Sequence, residues 1–247
     1  MQLLVSVANS EEALHAVDGG ADIVDAKDPS TGALGAVALD RLQEIHAAAG
    51  GRRVVSAALG DATDEQGIEQ LAYDYAGTGI GFVKVGFAGV TDSSGVERLI
   101  RAAIRGVRAS SLRNCGVVAV AYADSGGTTS VQPTALVDIA ARAGASGVLL
   151  DTADKGGPGL LRLVSSTALE VWVARAHEAG LTVALAGKLT ADDFPLICET
   201  GADIVGVRGA ACDDGRSSRV TEGKVRRLTE SLQKGPPRGA AGAPLGS

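Results

Sequence analysis

The stretch Gly20-Ala-Asp-Ile-Val-Asp-Ala-Lys27 recurs in altered form as Gly144-Ala-Ser-Gly-Val-Leu-Leu-Asp151 and Gly201-Ala-Asp-Ile-Val-Gly-Val-Arg208, and Gly79-Ile-Gly-Phe-Val-Lys-Val-Gly86 fits the same frame. Three of the four begin with a glycine suited to the left-handed end of a helix, and all run on into a short apolar segment of β type. Gly180 takes the same place before another such run. Working outward from these units, β-type runs fall near 2–7, 22–27, 53–58, 81–86, 116–122, 146–151, 181–186 and 203–207. Helical periodicity falls near 10–18, 37–49, 64–77, 93–109, 133–143, 166–179, 190–200 and 221–233. This alternation predicts an α/β fold, a single-domain (β/α)8 TIM barrel over residues 1–234, because each parallel strand needs a right-handed helical crossover to reach the next. The competing architecture, an open doubly wound sheet, carries a G-x-G-x-x-G turn directly after its first strand. Here Gly77-Thr-Gly-Ile-Gly81 precedes its strand and has a different spacing. The Pro/Gly/Ala-rich end, 235–247, is expected to be a disordered tail.

The 247 residues are 45% hydrophobic, enough for a substantial core. Lys and Arg total 23 against 29 Asp and Glu, a formal net charge of -6 with no basic run, which argues against nucleic acid as a partner. Only 3% of residues are aromatic, so stacking platforms for bases are lacking, whereas 34 glycines allow close backbone approach to a small polar ligand. Cys115, Cys198 and Cys212 form neither a disulfide framework nor a C-x-x-C pair. His15, His46 and His177 fall in helical segments without metal-ligand spacing, so no metal is expected. No apolar stretch approaches the roughly 18 residues of a membrane span. The N-terminus lacks a secretory pattern, so the expectation is a cytoplasmic protein without membrane contact; a homo-oligomeric state is open.

Within the glycine frame, the fifth and seventh following residues share one face of the strand at its C-terminal end. The fifth is Asp25, Lys84 or Gly206, and the seventh is Lys27, Asp151 or Arg208. Any one of these charges alone is accounted for by a solvated ion pair on a polar rim. Delivered together by the second, fourth, sixth and eighth strands, they form a candidate catalytic cluster on the face where barrel enzymes hold their active sites. Asp124, after the fifth strand, is a further candidate member.

Lys27, Lys84 and Lys155 are the informative set. Ammoniums crowded in a partly dry cavity disfavour one another's charge, so one of the three becomes an amine nucleophile able to form a Schiff base with a carbonyl. Spacing alone does not choose among them. Asp25 and Asp151 then hold the lysines and carry protons, or serve as counter-ions only. A phosphate ligand accounts for the glycines. The loops Ala186-Gly-Lys188 and Gly206-Val-Arg-Gly-Ala-Ala211 stand where this fold builds anion sites, with Gly187, Gly206 and Gly209 giving backbone access and Arg208 a bidentate contact. Gly156-Gly157 reads either as a second anion loop or as a flexible turn. Cys212 lies near the expected phosphate loop but has no positioned histidine to activate it.

Leu-Leu-Val-Ser at 3–6, Gly-Ala-Asp-Ile-Val-Asp-Ala-Lys-Asp-Pro at 20–29, Gly-Ala-Leu-Gly at 32–35, Val-Ser-Ala-Ala-Leu-Gly-Asp at 55–61, Val-Lys-Val-Gly at 83–86, Ala-Tyr-Ala-Asp at 121–124, Leu-Asp-Thr-Ala-x-Lys at 150–155, Ala-Leu-Ala-Gly at 184–187 and Asp-Ile-Val-Gly-Val-Arg-Gly-Ala-Ala-Cys at 203–212 run in order along the chain. Together they closely resemble the (5-formylfuran-3-yl)methyl phosphate synthase family. That resemblance implies a barrel enzyme, a carbon–oxygen lyase acting on phosphates. It would condense two molecules of glyceraldehyde 3-phosphate, without a cofactor, into (5-formylfuran-3-yl)methyl phosphate, also called 4-(hydroxymethyl)-2-furancarboxaldehyde phosphate. Phosphate and water are lost, and the product feeds methanofuran-type biosynthesis. Carried over by position, the resemblance implies Lys27 as the Schiff-base lysine and Lys84, Lys155, Asp25 and Asp151 as its acid–base and positioning partners. Lys188 is assigned no catalytic role. On the residues alone, two alternatives stand beside this: a class I aldolase for another phosphorylated aldehyde or ketose, and a non-catalytic phospho-ligand-binding barrel. The latter gains nothing from convergent lysines.

Overall fold

Each of the short apolar runs forms a strand: β1 (Gln2–Val7), β2 (Ile23–Ala26), β3 (Val54–Asp61), β4 (Phe82–Gly86), β5 (Gly116–Tyr122), β6 (Gly147–Asp151), β7 (Thr182–Leu185) and β8 (Ile204–Val207). In the computed structural model, which describes residues 1–110, 114–125 and 130–234, these strands pair in parallel and in chain order into a closed barrel, β8 meeting β1. The expected barrel is therefore the observed fold. The expected tail at 235–247 lies outside the described residues.

The crossovers carry α1 (Ser10–Asp18), α2 (Leu39–Ala49), α3 (Glu65–Ala76), α4 (Ser93–Ala109), α5 (Pro133–Ala143), α6 (Leu160–Leu163), α7 (Ser166–Glu178) and α8 (Phe194–Glu199), and α9 (Glu222–Lys234) follows the last strand. The short α6 has no counterpart in the sequence periodicity, since a single turn shows no repeat. Among the described residues no helix is long and apolar enough to cross a membrane.

Local chemistry explains where these helices start and what they bury. On α4, Asp92 caps the first turn by accepting from Gly95 N at 2.7 Å, and Val96, Leu99, Ile100, Ala103, Ile104 and Val107 recur at helical spacing along the buried face. Burying each of its larger aliphatic side chains contributes about 1.5–3 kcal/mol. Gly20, Gly144, Gly180 and Gly201 hold φ of 94°, 85°, 75° and 79°, the left-handed geometry expected of them.

Two apolar layers result. The larger lies between strands and helices and includes Leu3, Val5, Val24, Leu42, Ile45, Ile100, Leu136 and Val183. The smaller fills the barrel interior with Leu4, Ile23, Ala58, Val120, Leu149, Ala184 and Ile204. Strand alternation places polar side chains above this inner floor. Register sets their order: Ser6 stands beside Asp25 and Asp25 beside Ser56.

β3 runs further than its apolar pattern, with an irregularity between Ala58 and Asp61. This brings Asp61 beside Gly86, where an added Cβ would lie 2.2 Å from Asp61 Oδ1 and 2.6 Å from the Tyr122 hydroxyl. The missing side chain at Gly86 thus leaves room for Tyr122 to donate to Asp61 Oδ1 at 2.8 Å.

Candidate active site

The C-terminal ends of the strands open into a cavity of about 420 Å³ that continues down the barrel interior as far as Ser146 and Thr182 and whose lining includes Lys27, Lys84, Asp151 and Lys155. That volume is in the range of small-molecule sites. Asp25 is fully buried at its base: Oδ1 accepts from Ser56 Oγ at 2.8 Å, while Oδ2 accepts from Ser6 Oγ at 2.8 Å and pairs with Lys84 Nζ at 2.6 Å. Asp151 pairs with Lys155 Nζ at 2.6 Å and accepts from Thr152 N at 2.7 Å. Lys155 also donates to the Thr152 carbonyl, so its ammonium is held on the β6 loop.

Lys27 differs from the other two. It is 7% exposed, lines the cavity, and its ammonium has no hydrogen-bond or ion-pair partner among the described residues. Its pKa falls from 10.5 to about 8. Burial is the main cause; Asp151 and Asp25 oppose it, and Lys84 and Lys155 reinforce it. The cluster expected from the strand ends is therefore brought together, but like-charge crowding is the smaller force on Lys27 and desolvation the larger. Burial would raise the Asp151 carboxyl, yet the Lys155 and Lys27 ammoniums outweigh it and hold the group below its ordinary value.

The anion-site expectations divide. Gly187 lines the cavity with φ of 111°, and a Cβ there would sit 3.0 Å from Thr152 Cγ2. Lys188 follows it in the left-handed region at φ 60°, a conformation disfavoured for a side-chain-bearing residue. The N–H groups of Gly187 and Lys188 find no acceptor among the described residues. Gly206 and Gly209 also border the cavity.

Arg208 departs from its expected role. Its side chain is 5% exposed and pairs with the equally buried Glu12 at 2.9 Å. The remaining donors go to the carbonyls of Ser6, Arg216 and Ser218, so all five N–H groups are taken and none is left for a bidentate phosphate contact.

Other candidates are placed as supports. Asp124 accepts from Ala153 N and Asp154 N at 2.8 and 2.7 Å, anchoring the β6 loop rather than joining the lysines. In the same loop Gly156 N donates to Asp154 Oδ1, and the Gly157 carbonyl accepts from Lys188 Nζ at 2.6 Å. Burial raises the Cys212 thiol pKa, the opposite of what a thiolate nucleophile requires. His15, His46 and His177 lie on α1, α2 and α7 as expected.

Sequence reading missed Ser6, Ser56 and Arg216 and gave Lys188 no role, yet all four line the cavity. The two serines had one available signal: each shares strand parity with the buried charge and stands next to it in register.

A family model described as 4-HFC-P synthase matches residues 3–229. The chain is 40% identical over 234 residues to the (5-formylfuran-3-yl)methyl phosphate synthase of Methanopyrus kandleri, covering 94% of this chain and 98% of the relative. It is 38% identical over 233 residues to the synthase of the same name from Methanocaldococcus jannaschii, covering 93% and 99%. Among solved structures it resembles KGPDC from Streptococcus mutans, with TM-score 0.63 and 14% identity over 94% of this chain and 97% of that one. It also resembles phosphoribosyl anthranilate isomerase from Thermus thermophilus, with TM-score 0.64 and 14% identity over 95% and 99%. The structural likenesses speak to the barrel alone, whereas the sequence match runs through both its strand ends and its loops. By that match the chain belongs to the 4-HFC-P synthase family, the (5-formylfuran-3-yl)methyl phosphate synthases.

Proposed function

We propose that this enzyme condenses two molecules of glyceraldehyde 3-phosphate into (5-formylfuran-3-yl)methyl phosphate through a Schiff base on Lys27, for methanofuran-type biosynthesis. The observation that carries this reading is the contrast among the lysines: Lys84 and Lys155 are each tied to a carboxylate, while Lys27 presents a desolvated, unpaired amine to the cavity. A Schiff base requires a neutral amine, and by lowering the pKa to about 8 burial makes a reactive fraction of Lys27 neutral near neutral pH.

In the first step Lys27 Nζ bonds to the carbonyl carbon of one triose phosphate, and the carbonyl oxygen leaves as water after accepting protons. The imine withdraws electrons from the adjacent carbon, which gives up a proton to a neighbouring base and becomes a carbon nucleophile. That carbon bonds to the aldehyde of the second triose. Eliminations then release one phosphate, and ring closure with loss of water gives the furan and returns Lys27. Two trioses yield one furan phosphate, one inorganic phosphate and two waters, so no oxidant or reductant enters. The Asp25–Lys84 and Asp151–Lys155 pairs are the proton carriers, each holding a donor and an acceptor within 2.6 Å. Gly187, Gly206 and Gly209 leave room for a phosphate against the backbone, and Arg208 fixes the surrounding loop.

Borohydride added with glyceraldehyde 3-phosphate should fix a covalent adduct on Lys27. An unmodified Lys27 peptide overturns the assignment. Formation of a strongly ultraviolet-absorbing furan aldehyde from this substrate alone distinguishes the synthase from a class I aldolase.

A further inference from the structure

The segment between β8 and α9 folds back over the cavity mouth. Cys212 and Val220 form an antiparallel bridge, Asp213 N donates to the Arg219 carbonyl at 3.1 Å, and Ser218 Oγ donates to the Gly215 carbonyl at 3.0 Å. From beneath, the buried Arg208 guanidinium donates to the carbonyls of Arg216 and Ser218 at 2.9 and 3.3 Å. Arg216 therefore rides on a braced loop.

Its half-buried side chain borders the cavity, and Nη2 reaches the Gly32 carbonyl in the loop after β2 at 2.7 Å. No other acceptor meets its guanidinium among the described residues. A planar cation placed in a pocket with most of its N–H groups unused is suited to a tetrahedral oxyanion, which accepts two parallel hydrogen bonds from it.

Position separates this cation from the Gly187–Lys188 corner. Arg216 reaches toward the β2 side of the mouth, where Lys27 directly follows its strand, and Lys188 extends from the loop after β7 toward the β6 loop. A reaction that joins two phosphorylated trioses must hold two phosphates at once.

We propose that Arg216 is a phosphate-binding residue, forming a second anion subsite for the phosphate of one triose opposite the Gly187–Lys188 corner. This deepens the reading of the enzyme as a condenser of two triose phosphates and rests on it. Arg208 is the positioning residue that braces this subsite without touching the substrate.

The test compares the full chain with Arg216→Ala and Arg216→Lys, with thermal midpoints confirming folding. Losing a charge-assisted contact should raise KM for glyceraldehyde 3-phosphate about ten- to a hundred-fold in Arg216→Ala. Calorimetric titration with inorganic phosphate should lose one equivalent. Borohydride trapping of unphosphorylated glyceraldehyde on Lys27 should keep its rate, because that aldehyde never uses the subsite. Arg216→Lys should recover part of the affinity, since charge returns without the planar fork. An unchanged KM in a folded variant overturns the proposal, as does an equal loss for the phosphorylated and unphosphorylated aldehydes. If Arg216→Ala does not fold, an unchanged KM in Arg216→Lys has the same force. If the wild-type protein makes no furan aldehyde, the proposed condensation fails, while the phosphate titration of the variants still decides whether Arg216 binds the anion.

Discussion

Replacing Lys27 with Met should make this protein more stable while removing its nucleophile. The side chain is 7% exposed and its pKa in the fold is about 8, against the ordinary 10.5. At about 1.36 kcal/mol per pH unit, holding the ammonium in the folded state costs about 3 kcal/mol relative to the unfolded chain, net of the attraction from Asp151 and Asp25. The sign follows from proton counting: between pH 8 and 10.5 the unfolded chain binds more protons, so stability rises with pH across that window. Below pH 8 the full penalty is present; at pH 10 under about 1 kcal/mol of it remains.

Met fills similar volume without charge, so Lys27→Met should gain about 3 kcal/mol at pH 7, roughly 6–12 °C in Tm for a chain of this size, and under about 1 kcal/mol at pH 10. The single tryptophan, Trp172, is buried with Nε1 donating to the Pro133 carbonyl at 3.0 Å, so its fluorescence reports unfolding. Taking the difference between variant and wild type at each pH cancels titrations they share. A variant no more stable than wild type at pH 7, or a gain of equal size at both pH values, refutes the claim that burial is what lowers the Lys27 pKa.

The same titration should appear in catalysis. kcat/KM should climb as pH rises toward about 8, as the amine loses its proton, and a profile flat between pH 6 and 9 removes Lys27 as the titrating nucleophile. Glu12→Gln keeps shape but leaves the Arg208 cation buried without its counter-ion, which should cost about 3–5 kcal/mol in urea unfolding. The exposed Arg52–Asp18 pair provides the control: Asp18→Asn should leave the unfolding midpoint nearly unchanged.

The fold was legible because helix and strand periods differ and glycines punctuate their junctions; α4 and α5 begin and end where the pattern places them. The cluster was legible because Asp25, Lys27, Lys84 and Asp151 are charges on otherwise apolar strands. Which lysine stays unpaired was not, since that depends on the carboxylate each reaches, and Lys84 on β4 reaches Asp25 on β2 only inside the closed barrel, past the intervening β3. Nor could sequence tell Arg208 from Arg216. Both are arginines after β8, and what separates them is the Glu12 carboxylate, brought to Arg208 from α1 by closure of the barrel. Ser6 and Ser56 were missed because an isolated serine in a strand carries no signal until register sets it beside a buried carboxylate.

The arrangement of charge also bears on how a buried amine keeps its lowered pKa when its substrates are anions. A single negative charge at roughly 6 Å, with an effective dielectric near 20, favours an ammonium by about 2.8 kcal/mol, about two pH units. Two phosphates bound without their own cations would therefore raise the Lys27 pKa again, shrink its neutral fraction and slow imine formation. Lys84 and Lys155 are already committed to Asp25 and Asp151, and Arg208 to Glu12. The cations bordering the cavity that lack a carboxylate partner, apart from Lys27 itself, are Lys188 and Arg216 among the described residues. Placed on opposite sides of the mouth, they can neutralise one phosphate each at its own corner and so preserve the amine between them. Within each carboxylate–ammonium pair the two charges act on Lys27 in opposite directions, and desolvation is the largest influence on its pKa.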